Sequence, residues 1–158
     1  MPQLNKGGKY VFGLSIIGPG NRILLPGEAL ERYPVHREKR ILIFTGSRST
    51  GGFCVTSPGL LAGSKLAHIL TDCPGLAGDE LGEGEFIRYK GRGYAWAPVS
   101  PEGVVTLPDK AMAYLALSIG DTLMCIKSSD IAFTMGAKGP LMERAANYRG
   151  EIREYRAP

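Results

Sequence analysis

Nowhere in the 158 residues is there an apolar run of the length that a membrane span requires. The opening "MPQLNKGGKYVFG" has no apolar core of the kind a signal peptide carries, so a cytoplasmic address is expected and no membrane partner. Cysteine is scarce and odd in number. Cys54, Cys73 and Cys125 show no C-x-x-C spacing, so neither a disulfide framework nor a zinc site is indicated. Cys54 and Cys125 lie in the strand-like runs "GFCVT" and "TLMCIK", where a cysteine acts as a small buried hydrophobe. Histidine is limited to His36 and His68. "HILTDC" brings His68 near Cys73, yet no His, Cys or carboxylate cluster has metal-ligand spacing. There is no Gly-x-Ser-x-Gly, and the Gly-rich "GLAGDELGEG" lacks the lysine and the strand-to-helix context of a phosphate loop. The expectation is a non-enzyme with no catalytic residue, no metal and no cofactor.

What is present is glycine and proline, 22 and 11 of them, spread without a period. With 44% hydrophobic and 22% charged residues, this is the composition of a globular chain of short strands and tight turns. Charge is uneven. Residues 1–79 hold nine Lys/Arg against five Asp/Glu, whereas residues 80–158 hold ten of each. An excess of positive charge in one half suits an anionic partner, nucleic acid first among them.

The chain also repeats itself. "NRILLPGEALERYPVHREKR" and "GVVTLPDKAMAYLALSIGD" each run a short apolar strand into Leu-Pro, then a brief helix, then a return to strand; Pro26 and Pro108 are 82 positions apart. Each copy starts on an apolar strand, "KYVFGLSII" or "GYAWAPV", followed by a turn, "GPGN" or "SPEG". Pro26 and Pro108 suit the first turn of a helix, and Pro34 must stop the first helix near Tyr33. Each copy then makes a hairpin, "RILIF" to "GFCVT" and "TLMCI" to "IAFT", with a first loop about four residues longer that reduces the spacing to 78. A trailing helix is expected after each, over roughly 60–71 and 139–155. In the second, Leu141, Ala145, Tyr148, Ile152 and Tyr155 form an a/d-like seam for the body of the protein or a neighbouring subunit. These boundaries give a first copy over 1–73, a Gly-rich acidic linker over 74–85 and a second copy over 86–158. About fifty residues in short strands cannot bury their own apolar faces, so the two copies are expected to share one core and cover each other's strand edges.

Strand, turn, strand, Leu-Pro, helix, "I-x-x-G-D" and hairpin resembles the swapped-hairpin domain of the AbrB/SpoVT superfamily, with "VVTLPDKAMAYLALSIGDTLMCI" the better match. The tandem arrangement is similar to that of MraZ. The resemblance implies a mostly β fold with short helices, in which two interleaved swapped-hairpin copies form one pseudo-two-fold barrel. It further implies a DNA-binding transcriptional regulator acting as a homo-oligomer, with double-stranded DNA as partner. The alternative is an interaction or antitoxin-like module that keeps the fold without binding DNA. MraZ-like copies carry Asp-x-x-x-Arg across the first turn; here Arg22 holds the arginine place, but Gly18 stands for the Asp, and Ser100 and Val104 replace both in the second copy. The expected DNA-contacting set is Arg22, Arg32, Arg37, Lys39, Arg40 and Arg48, balanced in part by Glu28, Glu31 and Glu38. "IRYKGRGYAW" interleaves cations and aromatics as single-stranded nucleic-acid binders do. Its place as the first strand of the second copy is the preferred reading.

Overall fold

Strand-forming runs separated by Gly- and Pro-containing turns fold into a mostly β structure, seen in a computed structural model that describes residues 10–46, 49–139, 142–143 and 152–158. In chain order the strands are β1 (Val11–Ile16), β2 (Arg22–Leu24), β3 (Arg40–Thr45), β4 (Phe53–Thr56), β5 (Ile87–Tyr89), β6 (Arg92–Pro98), β7 (Val104–Thr106), β8 (Thr122–Lys127), β9 (Phe133–Gly136) and β10 (Glu154–Arg156). The helices are α1 (Gly27–Arg32), α2 (Pro58–Ala62), α3 (His68–Asp72) and α4 (Asp109–Leu115). Eight strands form one mixed sheet in the order β10-β1-β8-β9-β4-β3-β6-β5, and β2 pairs with β7 in a separate two-stranded ribbon.

Pairing runs between the halves of the chain. β1 lies antiparallel to β8, β6 to β3, β4 to β9 and β2 to β7. The register keeps the sequence spacing of 82. Leu14 lies opposite Met124 and Leu42 opposite Trp96, pairs that interchange when 82 is added to the first-half partner and subtracted from the other. Ile23 faces its own counterpart Val105, and, past the loop of unequal length, Val55 faces Phe133. Backbone bonds repeat in the same way. Ile17 N–H donates to Asp121 O at 3.0 Å and Val99 N–H to Lys39 O at 3.2 Å; Leu25 N–H donates to Gly103 O at 3.0 Å and Leu107 N–H to Asn21 O at 3.1 Å. The main core draws on both halves, from Phe12, Ile23, Tyr33, Ile41 and Val55 to Val105, Leu107, Leu123 and Phe133.

The expected barrel does not close. β1 and β6 would have to meet, but β10 bonds the outer side of β1 and β5 the outer side of β6, leaving two short edge strands. β3 is covered on both faces: Ile41 and Ile43 enter the main core, while Leu42 packs with Leu61, Ile69 and Leu76 beneath α2, α3 and the following turn. That explains an apolar run with no polar alternation.

Local chemistry accounts for most of the helices. Pro26 and Pro108 stand at the residue before α1 and α4, and Tyr33 closes α1 ahead of Pro34. The single helix expected over 60–71 is two. Ser57 caps α2 by accepting from Leu60 N–H, Gly63 ends it, and the Ser64 hydroxyl takes the Leu61 carbonyl that a continuing helix would need. The helix expected through Tyr155 is also corrected, because Glu154–Arg156 is a strand paired in parallel with Leu14–Ile16. Of the seam, Leu141, Ala145 and Tyr148 lie outside the described residues. Ile152 packs on the chain's own Val11, Met124 and Ile126. Residues 74–85, expected as a linker, contribute the buried Leu76 and Leu81 to the second cluster.

Candidate functional site

The basic residues of the first half do not gather on one element. Arg32 ends α1, and beside it the pairing of β1 with β8 brings Lys127, whose N–H donates to Tyr10 O at 3.0 Å. Arg32 and Lys127 thus line one hollow of about 290 Å³ with Tyr10 and Phe12. Arg32 lies 3.9 Å from Asp130, an ion pair in which the Asp130 side chain is 98% exposed. Such a contact holds the guanidinium weakly, at about 0–1 kcal/mol. Its guanidinium also sits 5.8 Å from the Tyr33 ring centre.

Arg37 and Lys39 flank Glu38 and are exposed, with no hydrogen bond or ion pair of their side chains among the described residues. Glu38 itself is engaged, accepting from Gly59 N–H at 2.9 Å and tying α2 to the turn before β3.

Two expected contacts are occupied by the fold. Arg40 lays its guanidinium 3.9 Å from the centre of the Trp96 ring and donates from Nη1 to Leu76 O and Gly78 O, both at 3.0 Å. It fastens the 74–78 turn to the sheet, while Trp96 Nε1 donates to Leu81 O at 2.6 Å just beyond. Arg22, half-buried on β2, donates from Nη1 to the carbonyl oxygen of Pro158 at 2.7 Å. Arg48 lies outside the described residues. The structure therefore brings Arg32 together with Lys127, a residue absent from the sequence-based set. Comparison of the copies hid it, because its counterpart 82 positions earlier is Thr45.

The second half differs at matching places. Positions 32 and 37 correspond to Tyr114 and Ile119, which are 45% and 57% exposed. Tyr114 stacks on Phe86 at 4.0 Å between ring centres and 5° between planes. "IRYKGRGYAW" forms the β5–β6 hairpin, turning at Lys90 and Gly91, both with positive φ as a tight hairpin turn requires.

A polar group joins α3 to β5. The Tyr89 hydroxyl donates to Asp72 Oδ2 at 2.5 Å, and His68 Nδ1 lies 2.9 Å from the Tyr89 hydroxyl oxygen, placed to donate to it. The bond to Asp72, then burial, then the charge of Asp72 push the Tyr89 phenol up to about 12. Because the folded value is raised, the bond is intact below the ordinary tyrosine value of about 10 and is lost as pH rises through the folded one. Alkaline titration of phenolate absorbance in the folded protein is expected to show a late component near 12 that Tyr89→Phe removes. An unchanged titration curve would mean the Asp72 bond is not made. Cys73, next to this group, is buried, and burial followed by the Asp72 charge pushes its thiol up, away from the thiolate a nucleophile requires. Among the described residues no cluster of three or more His, Cys, Asp or Glu side chains is arranged to hold a metal ion, and no helix is long and apolar enough to cross a membrane.

A scan against protein-family models finds no match to this chain, and a search of curated proteins finds none either.

Proposed function

We propose that this chain is a cytoplasmic, non-enzymatic DNA-binding transcriptional regulator of the AbrB/SpoVT type, acting as a homo-oligomer. In this reading two swapped-hairpin copies are joined covalently into one pseudo-two-fold unit. Support for the fold comes from the strand registers and backbone bonds that repeat at a spacing of 82. The observation that carries the DNA reading is the pair Arg32 and Lys127, drawn from opposite halves to one hollow, with the exposed Arg37 and Lys39 following α1. Long cations of this kind neutralise phosphates and fix position on a duplex without reading its sequence.

Each phosphate contact releases counterions, so duplex affinity should fall with salt by a slope of about −0.9 per contact. Arg32→Ala and Lys127→Ala are each expected to flatten that slope by about one unit on any duplex. Arg22→Ala is expected to change it less, because that side chain is engaged with the Pro158 carbonyl. Fluorescence anisotropy at several salt concentrations measures all three. A parent protein with no salt-sensitive duplex binding sinks the DNA reading.

The second reading, an interaction module that keeps the fold without DNA, is favoured by one observation. Where the first half presents Arg32 and Arg37, the second presents the exposed Tyr114 and Ile119. Those side chains suit a protein surface better than a phosphate backbone.

A further inference from the structure

Beneath α2 and α3, against β3, β4 and β6, lies a hollow of about 310 Å³ that the DNA reading does not use. Leu61, Leu66 and Ile69 line it from the helical segment, and Phe44 and Tyr94 from the sheet. Among the described residues Arg92 is the single cation in its lining, and no carboxylate side chain of those residues lines it. The geometry points to this hollow as the binding site for a small organic carboxylate with a hydrocarbon body, its carboxylate on Arg92 and its apolar part against the leucines and Ile69.

Three observations carry this. The first is the chemistry of the walls, which are mainly apolar with a few polar groups, the composition of a small-molecule site at the lower end of the usual size range. The second is the state of Arg92. It makes a long 3.4 Å contact from Nη1 to Thr45 O and stands 5.6 Å from the centre of the Phe44 ring, with no carboxylate partner among the described residues. A guanidinium has five N–H donors, so most remain available to an incoming carboxylate. The third is Tyr94. The residue is 8% exposed, and its hydroxyl has no hydrogen-bond partner among the described residues. Burial pushes its phenol up, so it stays protonated and able to donate.

These features discriminate between ligand classes. A wholly apolar ligand would cover the walls but leave the Arg92 charge and the Tyr94 hydroxyl without a partner, which is costly away from water. Inorganic phosphate would satisfy Arg92 and leave the apolar walls uncovered. A carboxylate on a hydrocarbon body meets both. Leu66, 44% exposed, extends the apolar wall toward solvent.

Octanoate is the test ligand, with 1-octanol as its neutral counterpart and inorganic phosphate as the bare anion. Calorimetric titration of the full chain is expected to show octanoate binding more tightly than octanol and phosphate not binding. Arg92→Gln should weaken octanoate roughly tenfold to a hundredfold and leave octanol unchanged. Leu66→Trp, which adds bulk at the exposed end of the wall, should weaken both. In the parent protein, octanoate methylene protons should show nuclear Overhauser contacts to the methyl groups of Leu61 and Ile69, a measurement that stands even if a variant fails to fold. The proposal is overturned if octanoate gives no binding heat at about 10 mM, well above the range of specific small-ligand affinities. It is equally overturned if Arg92→Gln binds octanoate as tightly as the parent, or if the contacts fall on methyl groups elsewhere.

Discussion

Gly52→Ala is expected to lower the melting temperature by roughly 5–20 °C, from a loss of about 2–5 kcal/mol. Gly52 has φ +62°, and a Cβ built there would stand 1.9 Å from the carbonyl oxygen of Met135 and 3.1 Å from its carbon. Those atoms are β9 backbone, so no side-chain rotation relieves the overlap, and β4 must pull away from β9 at the pair Phe53–Met135. Gly51 is the internal control. Its φ of +60° is equally left-handed, but an added Cβ meets the Lys138 side chain at an ordinary 3.5 Å. Gly51→Ala should therefore cost only the backbone strain, about 1–2 kcal/mol. If thermal unfolding finds the two variants equal, the close approach of the turn to β9 is wrong.

Tyr33→Ala is expected to cost about 3–5 kcal/mol, the range for removing a large buried ring. Tyr33 is fully buried, packed edge-on to Phe12 with ring centres 6.2 Å apart and tilted against Phe133 at 5.3 Å. Its hydroxyl donates to Ser129 O at 2.5 Å, so one side chain joins the end of α1 to the second-half hairpin turn. Tyr33→Phe keeps the ring and removes that bond to the exposed Ser129, at about 0.5–1.5 kcal/mol. Chemical denaturation should rank the parent above Tyr33→Phe and that above Tyr33→Ala. Burial raises the Tyr33 phenol, with Arg32 opposing. The folded state therefore resists ionisation while the unfolded chain ionises near the ordinary value of about 10. The stability this contributes is present below that value and is lost as pH climbs through the folded one. The fall in stability above pH ~10 should accordingly be shallower in Tyr33→Phe. A hydroxyl that contributes nothing would leave Tyr33→Phe and the parent indistinguishable at neutral pH.

Tyr33 also shows how far the sequence could be read. Pro34 placed the end of α1 at Tyr33, as found, but nothing in "ERYPVH" says that the ring would meet Phe133, a hundred residues on. The same limit applies to the candidate site. Arg32 and Arg40 were both visible as cations near the first helix and strand, and the structure separates them. Arg40 is spent on Trp96 and two carbonyls of the 74–78 turn, while Arg32 meets Lys127. Lys127 was legible only as the last residue of an apolar run. Its nearness to Arg32 requires β1 and β8 to be neighbours, which neither stretch states. In "SPGLLAGSK" the cap and the break were both readable, Ser57 before Pro58 and then Gly63-Ser64, yet apolar spacing masked them and suggested one helix.

By itself the sequence determined the doubled order of elements, the Leu-Pro helix starts, the stop at Tyr33 and the two hairpins. Each of these follows from φ restriction, turn chemistry and apolar spacing acting within a few residues. Only the tertiary structure decided that β10 and β5 occupy the outer sides of β1 and β6 and keep the sheet open, that 154–156 is strand, and that Arg22 and Arg40 hold backbone carbonyls. Those outcomes depend on which buried surfaces and unpaired backbone groups meet across the chain, and a strand edge or a guanidinium takes whichever partner the packed core leaves within reach.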